Sequence, residues 1–198
     1  MREFAPDADG QRAQLREERA ARGEPALPGA QEWSIVAYRL ETAGHPAGAA
    51  DAWRAALAVD PSLPQAHLGL GRSLLALRDG EGAAAAARAA LQAHEAAVAR
   101  NGERLLDDPD EDPWYVLGLA EHLRGRLAEA VDAYARSAAA YPWFPEPLLE
   151  MARAELARGD RVRAADAANR ALQRAKWRPD FAREVEQVLS AAREPGRP

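Results

Sequence analysis

Apolar and small residues recur along this chain at helical spacing, broken at regular places. Trp33, Val36 and Ala37 open one helical stretch, which closes at Gly44. A second stretch carries Ala49, Trp53 and Ala56 and closes at Pro61. A displacement of 81 residues reproduces the pattern class for class. Trp114, Leu117 and Gly118 stand where Trp33, Val36 and Ala37 stood, and Gly125, Ala130, Tyr134, Ser137 and Pro142 follow in register.

Each of these stretches has a weaker copy 34 residues later. The first is followed by Leu70, Gly71, Leu74, Ala83, Ala87 and Ala90, the second by Leu148, Met151, Ala152, Gly159, Ala164, Ala168 and Ala171. The pattern predicts four helix-pair units near 30–63, 64–97, 111–144 and 145–178, with one insertion at 98–110. Small residues at Ala37, Gly71, Gly118 and Ala152 let the second helix of a unit lie close against the first. Trp53 and Tyr134 are sized to fill the space between units, so that neighbours bury one core.

The order of an aromatic, a Leu–Gly pair, a turn glycine, an alanine, a second aromatic, another alanine and a closing proline resembles the tetratricopeptide repeat. The resemblance covers about three quarters of the chain. It implies an all-α, right-handed α-solenoid of about four helix pairs with a C-terminal capping helix. It also implies a non-catalytic scaffold or adaptor that binds a partner's peptide or helix on its concave face. The later units depart from the pattern. Ala87 and Ala168 replace the second-helix aromatic, Glu95 and Lys176 the proline, and Arg78 the turn glycine. Glu121 and Glu155 stand at a first-helix position that is usually Tyr or Leu.

Three segments lie outside the units. Residues 1–29 read as a charged arm and linker: Gln11–Arg22 can be helical but offers only Leu15 and scattered alanines as an apolar side, so its removal is expected to leave the fold in place. The helix from Ala83 either stops at Asn101–Gly102 or runs to Leu106, and in both cases outruns its partner. The acidic run Asp107–Asp112 then caps the next helix. Residues 179–198 read as a capping helix and tail, with Phe181, Val185 and Leu189 on one face.

Composition narrows the chemistry. A net charge of −5 disfavours nucleic-acid partners. Lys176 is the only lysine, which reads as the codon usage of a GC-rich genome. With no cysteine there is no disulfide or thiolate chemistry, and no cofactor or metal site is expected. His94-Glu95 begins a zinc-protease pattern, but Val98 stands where the second histidine belongs. Gly69-Leu70-Gly71 follows no strand and reads as helix packing, and the acidic run lacks calcium-loop spacing. No apolar run is long enough to cross a bilayer, and Met1–Ala20 has no apolar signal core; a cytoplasmic protein is expected.

The face opposite the packing stripe of each first helix is the candidate partner-binding wall. It carries Tyr38 in the first unit, Arg72 in the second, Tyr115 and His122 in the third, and Leu149 and Arg153 in the fourth. Such a floor suits a peptide or amphipathic helix with hydrophobic anchors and an acidic group. The same side chains could instead pack on the neighbouring unit or on the chain's own N-terminal segment. Family members that grip chaperone tails use lysine and asparagine on these helices. Ser34, Tyr38, Gly69 and Val116 argue against that mode here. The rival to a reversible adaptor is a permanent subunit of a larger assembly, attached through the arm and the projecting helix.

Overall fold

A computed structural model describes residues 7–24, 29–101, 112–175 and 177–194. The described residues form ten helices and no strand: α1 (Ala8–Ala21), α2 (Gly29–Thr42), α3 (Pro46–Val59), α4 (Pro64–Ala76), α5 (Gly80–Asn101), α6 (Pro113–Leu123), α7 (Leu127–Ala140), α8 (Glu146–Arg158), α9 (Arg161–Arg174) and α10 (Pro179–Arg193). They belong to two compact units, residues 1–111 and 112–198. In the first, α2 pairs with α3, α4 with α5, and α3 packs on α4. In the second, α6 pairs with α7, α8 with α9, α7 packs on α8, and α10 closes on α9 and α8. The chain is all-α, built from sequential helix pairs with a terminal capping helix.

One turn design joins the two helices of every pair. In the first, the Gly44 N–H donates to the Glu41 carbonyl and the His45 N–H to the Leu40 carbonyl, which requires a left-handed residue, φ 76° at Gly44. Gly125 and Gly159 repeat it. Arg78 makes the same turn without being glycine, at φ 64°, a strain of about 1 kcal/mol. Asp79 partly offsets it by accepting from the Gly82 N–H at 2.9 Å at the start of α5.

The small-residue stripe works by close approach. Trp53 is fully buried, and a Cβ on Gly69 would lie 2.2 Å from its ring, so α4 can seat the indole only because Gly69 has no side chain. Gly118 accommodates Tyr134 in the same way, with a hypothetical Cβ 2.4 Å from the ring. Where the aromatic is replaced, the neighbour compensates: Ala168 packs with Phe181, Val185 and Leu189 of α10. Glu121 and Glu155, each 1% exposed at the Tyr/Leu position, are matched by arginines one turn on, Arg124 at 2.9 Å and Arg158 at 3.0 Å. A buried carboxylate needs such a partner.

The N-terminal helix departs from a free arm. Leu15 is 2% exposed and packs with Trp33, Val36 and Leu40. Arg12 and Arg16 both reach the Glu32 carboxylate at 2.5 Å, Arg39 reaches Glu18 at 2.8 Å, and the Arg12 guanidinium lies 4.3 Å from the Trp33 ring centre. A single leucine and a set of ion pairs dock a helix whose own apolar face is thin. This is invisible to a period count, because the pairing charges are far apart in sequence. α5 has 22 residues against 13 in α4 and is described to Asn101; Leu106 and most of the acidic run, 102–111, fall outside the described residues. The last acid of that run, Asp112, caps α6 through the Trp114 N–H at 2.9 Å.

Candidate interaction surface

In the first unit the outward side of α2 is the most developed surface. Tyr38 is 41% exposed and meets the buried Trp53 edge to face at 5.0 Å. Beside it lies a groove of about 480 Å³ lined by Ile35, Tyr38, Arg39, Thr42 and Ala43. A second cleft of about 290 Å³ opens between α2 and α4 over Glu41, Pro46, Arg72 and Ser73. Glu41 organises the ground between the two. It accepts from Trp53 Nε1 at 3.2 Å, from Ser73 Oγ at 3.0 Å and from Arg72 at 3.3 Å. Arg72 also lies 6.0 Å from the Tyr38 ring centre. Burial weakens the Arg72 charge, but Glu41 and Tyr38 outweigh it and hold the guanidinium pKa above its ordinary value. Tyr38 and Arg72, read from separate repeats, therefore form one cluster.

The second unit repeats the layout with different chemistry. Tyr115 and His122 on α6 flank the buried Tyr134, at ring-centre distances of 6.2 and 6.4 Å. Tyr115 also meets Phe144 edge to face at 5.6 Å. The Tyr134 hydroxyl and His122 Nδ1 are 3.5 Å apart. Burial, followed by the Glu150 charge, pushes the Tyr134 pKa up, so the phenol stays neutral. Arg153 bridges Glu150 at 2.5 Å and Glu184 of α10, which together raise its pKa against the effect of burial.

Leu149 is corrected by the geometry. It is 2% exposed and sits in the core with Val185 and Leu189, because α10 covers the side of α8 that the helical period leaves outward. Leu68 and Val116 are buried as well, at 0% and 3%. Glu41 is the residue that spacing undervalues. Its role depends on three partners on two other helices, α3 and α4, and only its place five residues before the Pro46 helix start is visible in the sequence. Among the described residues no group of His, Asp or Glu could hold a metal ion, and no helix is long and apolar enough to cross a membrane.

With paired helices, left-handed turns and an outward first-helix face in place, comparison with known proteins decides the family. The Tetratricopeptide repeat sequence model matches residues 37–98 and 93–142, more than half of the chain. The chain belongs to the tetratricopeptide repeat family. Folds of this family typically act as non-catalytic protein–protein interaction scaffolds. A comparison with curated proteins finds no match. Among solved structures, this tetratricopeptide chain is similar to the MamA protein, with a TM-score of 0.65 and 18% identity over 88% of this chain and 86% of that one. It is also similar to a chain of the Cut9–Hcn1 hetero-tetramer of the APC/C, with a TM-score of 0.68 and 16% identity over 85% of this chain and 30% of that one. A thermophilic tetratricopeptide repeat protein of Thermus thermophilus matches with a TM-score of 0.54 and 19% identity over 82% of this chain and 86% of that one. At these identities the likeness is one of fold.

Proposed function

We propose that the chain is a non-catalytic adaptor that holds a peptide or amphipathic helix of another protein on the outward faces of its first helices. The observation that carries this reading is the half-exposed Tyr38, backed by Trp53 and set between two open clefts, with Arg72 held charged beside it. An aromatic rigidly supported from behind offers contact area at little entropic cost. Ile35 and Ala43 supply apolar floor for a hydrophobic anchor, and Arg72 and Arg39 supply the rim for an acidic group. In the second unit Tyr115, His122 and Arg153 are the corresponding partner contacts.

The test is capture of partner polypeptide by the full chain compared with Tyr38→Ala/Arg72→Ala. The double variant is expected to weaken binding at least about tenfold while its helical signal stays that of the parent. Equal retention of partner by both proteins would move the site off this face. The length of α5 relative to α4 favours a second reading, a permanent subunit attached by that overhang. Size-exclusion chromatography separates the two: an adaptor runs as a stable free chain, whereas a subunit is insoluble or co-purifies obligatorily.

A further inference from the structure

Helix α1 buries two side chains, Gln11 and Leu15. Leu15 is an aliphatic anchor. Gln11 is fully buried, yet its Nε2 donates only to Gln14 of the same helix, at 3.4 Å, and its Oε1 accepts from no described residue. A buried amide oxygen without a donor favours the state in which water reaches it. Docking of α1 therefore leans on charge. Arg12 and Arg16 hold Glu32 from one helix to the next, and Arg39 holds Glu18. Arg16 is mostly exposed, and Arg39 and Glu18 are partly so, which leaves these pairs open to screening by dissolved ions. The pairs of Arg19 and Arg22 with Glu24 stay within the segment and do nothing to dock it. Once detached, a 14-residue helix with Gly10 in its first turn has no packed face to sustain it.

What α1 covers is part of the candidate interaction surface. Leu15 packs with Trp33, Val36 and Leu40 of α2. Next to them on the same helix is the groove lined by Ile35, Tyr38, Arg39, Thr42 and Ala43. Arg39 belongs to both: it walls the groove, and Glu18 occupies it at 2.8 Å. Leu15 and Glu18 stand three residues apart, an aliphatic anchor followed by a carboxylate one helical turn on. The chain's own first helix thus presents to α2 the two kinds of group that the groove suits in a partner helix.

We propose that α1 is a displaceable, ion-held cover that opens as a unit ahead of α2–α4, and that an acidic partner helix takes Arg39 over from Glu18. The class of partner rests on the adaptor reading; the opening of α1 does not. Because α1 is tethered to the face it covers, its effective concentration there is high. A partner helix must therefore offer more apolar contact than one leucine to displace it, and α1 acts as a threshold against weak acidic peptides.

The experiment is hydrogen–deuterium exchange of the full chain, read by mass spectrometry in about 0.05 M and about 1 M sodium chloride. Segments from α1 are expected to exchange about fivefold or more faster at the higher salt, while α2–α4 keep their protection. Glu18→Gln is expected to speed α1 exchange at the lower salt and to shrink its salt response. Exchange of α1 in step with α2–α4 at both salts overturns the proposal, as does an unchanged α1 rate in Glu18→Gln. The uncovered face is probed with 8-anilinonaphthalene-1-sulfonate, an aromatic anion that combines an apolar body with a negative group. Leu15→Ala/Glu18→Gln is expected to bind it about tenfold more tightly than the parent, and Leu15→Ala/Glu18→Gln/Arg39→Gln about fivefold more weakly than that double variant. Equal binding by the parent and the double variant, or by the double and triple variants, overturns the transfer of Arg39. Self-association of the parent that the double variant abolishes overturns it in favour of α1 exchange between two copies. Capture by Tyr38→Ala/Arg72→Ala tests the adaptor reading separately, since the exchange measurement involves no partner.

Discussion

Two glycines set how closely the helices of this protein can approach. Gly69 faces the Trp53 ring and Gly118 the Tyr134 ring at distances no Cβ could occupy without displacement. Gly118→Ala is expected to destabilise the protein by about 1–3 kcal/mol, the usual cost of forcing one carbon into a filled core, and urea denaturation measures it. An unchanged midpoint would mean that Tyr134 can withdraw freely. The repeat singles out Gly71 and Gly118 as small positions, not Gly69, and does not show which aromatic each glycine serves. Trp53 seats on the glycine of the following helix, whereas Tyr134 seats on the glycine of its own pair. That difference is a matter of side-chain direction across two helices, which no single-chain spacing encodes.

At the scale of the element, helix existence follows from period and punctuation, and docking does not. Pro46, Pro64, Pro113 and Pro179 start α3, α4, α6 and α10, where proline's fixed φ suits the first turn and its missing N–H costs nothing. The first helix, α1, was legible as a helix and illegible as part of the core. Its sequence offers one leucine, and its attachment relies on Arg12, Arg16 and Glu18 meeting Glu32 and Arg39 across the linker. Leu15→Ala is therefore expected to cost about 2–3 kcal/mol and to lower the thermal midpoint. A midpoint indistinguishable from the parent would return α1 to the status of a free arm. The same limit explains Leu149: its outward phase on α8 is correct for an isolated pair, and α10 changes its environment.

Across the whole molecule the carboxylates divide into two kinds. In the first unit Arg16, then Arg12, hold the Glu32 pKa below its ordinary 4.5, and Arg39 does the same for Glu18. Stability from such groups is complete above the unfolded pKa and drains away as pH falls through the folded value. In the second unit burial raises Asp112 above its ordinary 3.8, against the pull of its hydrogen-bond donors, so its contribution is largest below that value and is lost as pH rises through the folded one. Thermal melts from about pH 3 to about pH 8 should show Glu32→Gln losing part of the acid-side decline and Asp112→Asn gaining stability toward neutral pH, since Asn caps a helix as well without the buried charge. Parallel pH profiles for both variants and the parent would remove both assignments. By itself the amino-acid sequence determined the helix pairs, their turns and their repeat family, because a recurrent spacing of small, aromatic and helix-breaking residues is a local property repeated along one chain. Only the tertiary structure decided that Glu41 joins Trp53, Ser73 and Arg72, that α1 is docked, and that Leu149 is core. Each of those depends on which residues distant in sequence arrive at the same place, and burial is set by that neighbour rather than by the residue's own position in its helix.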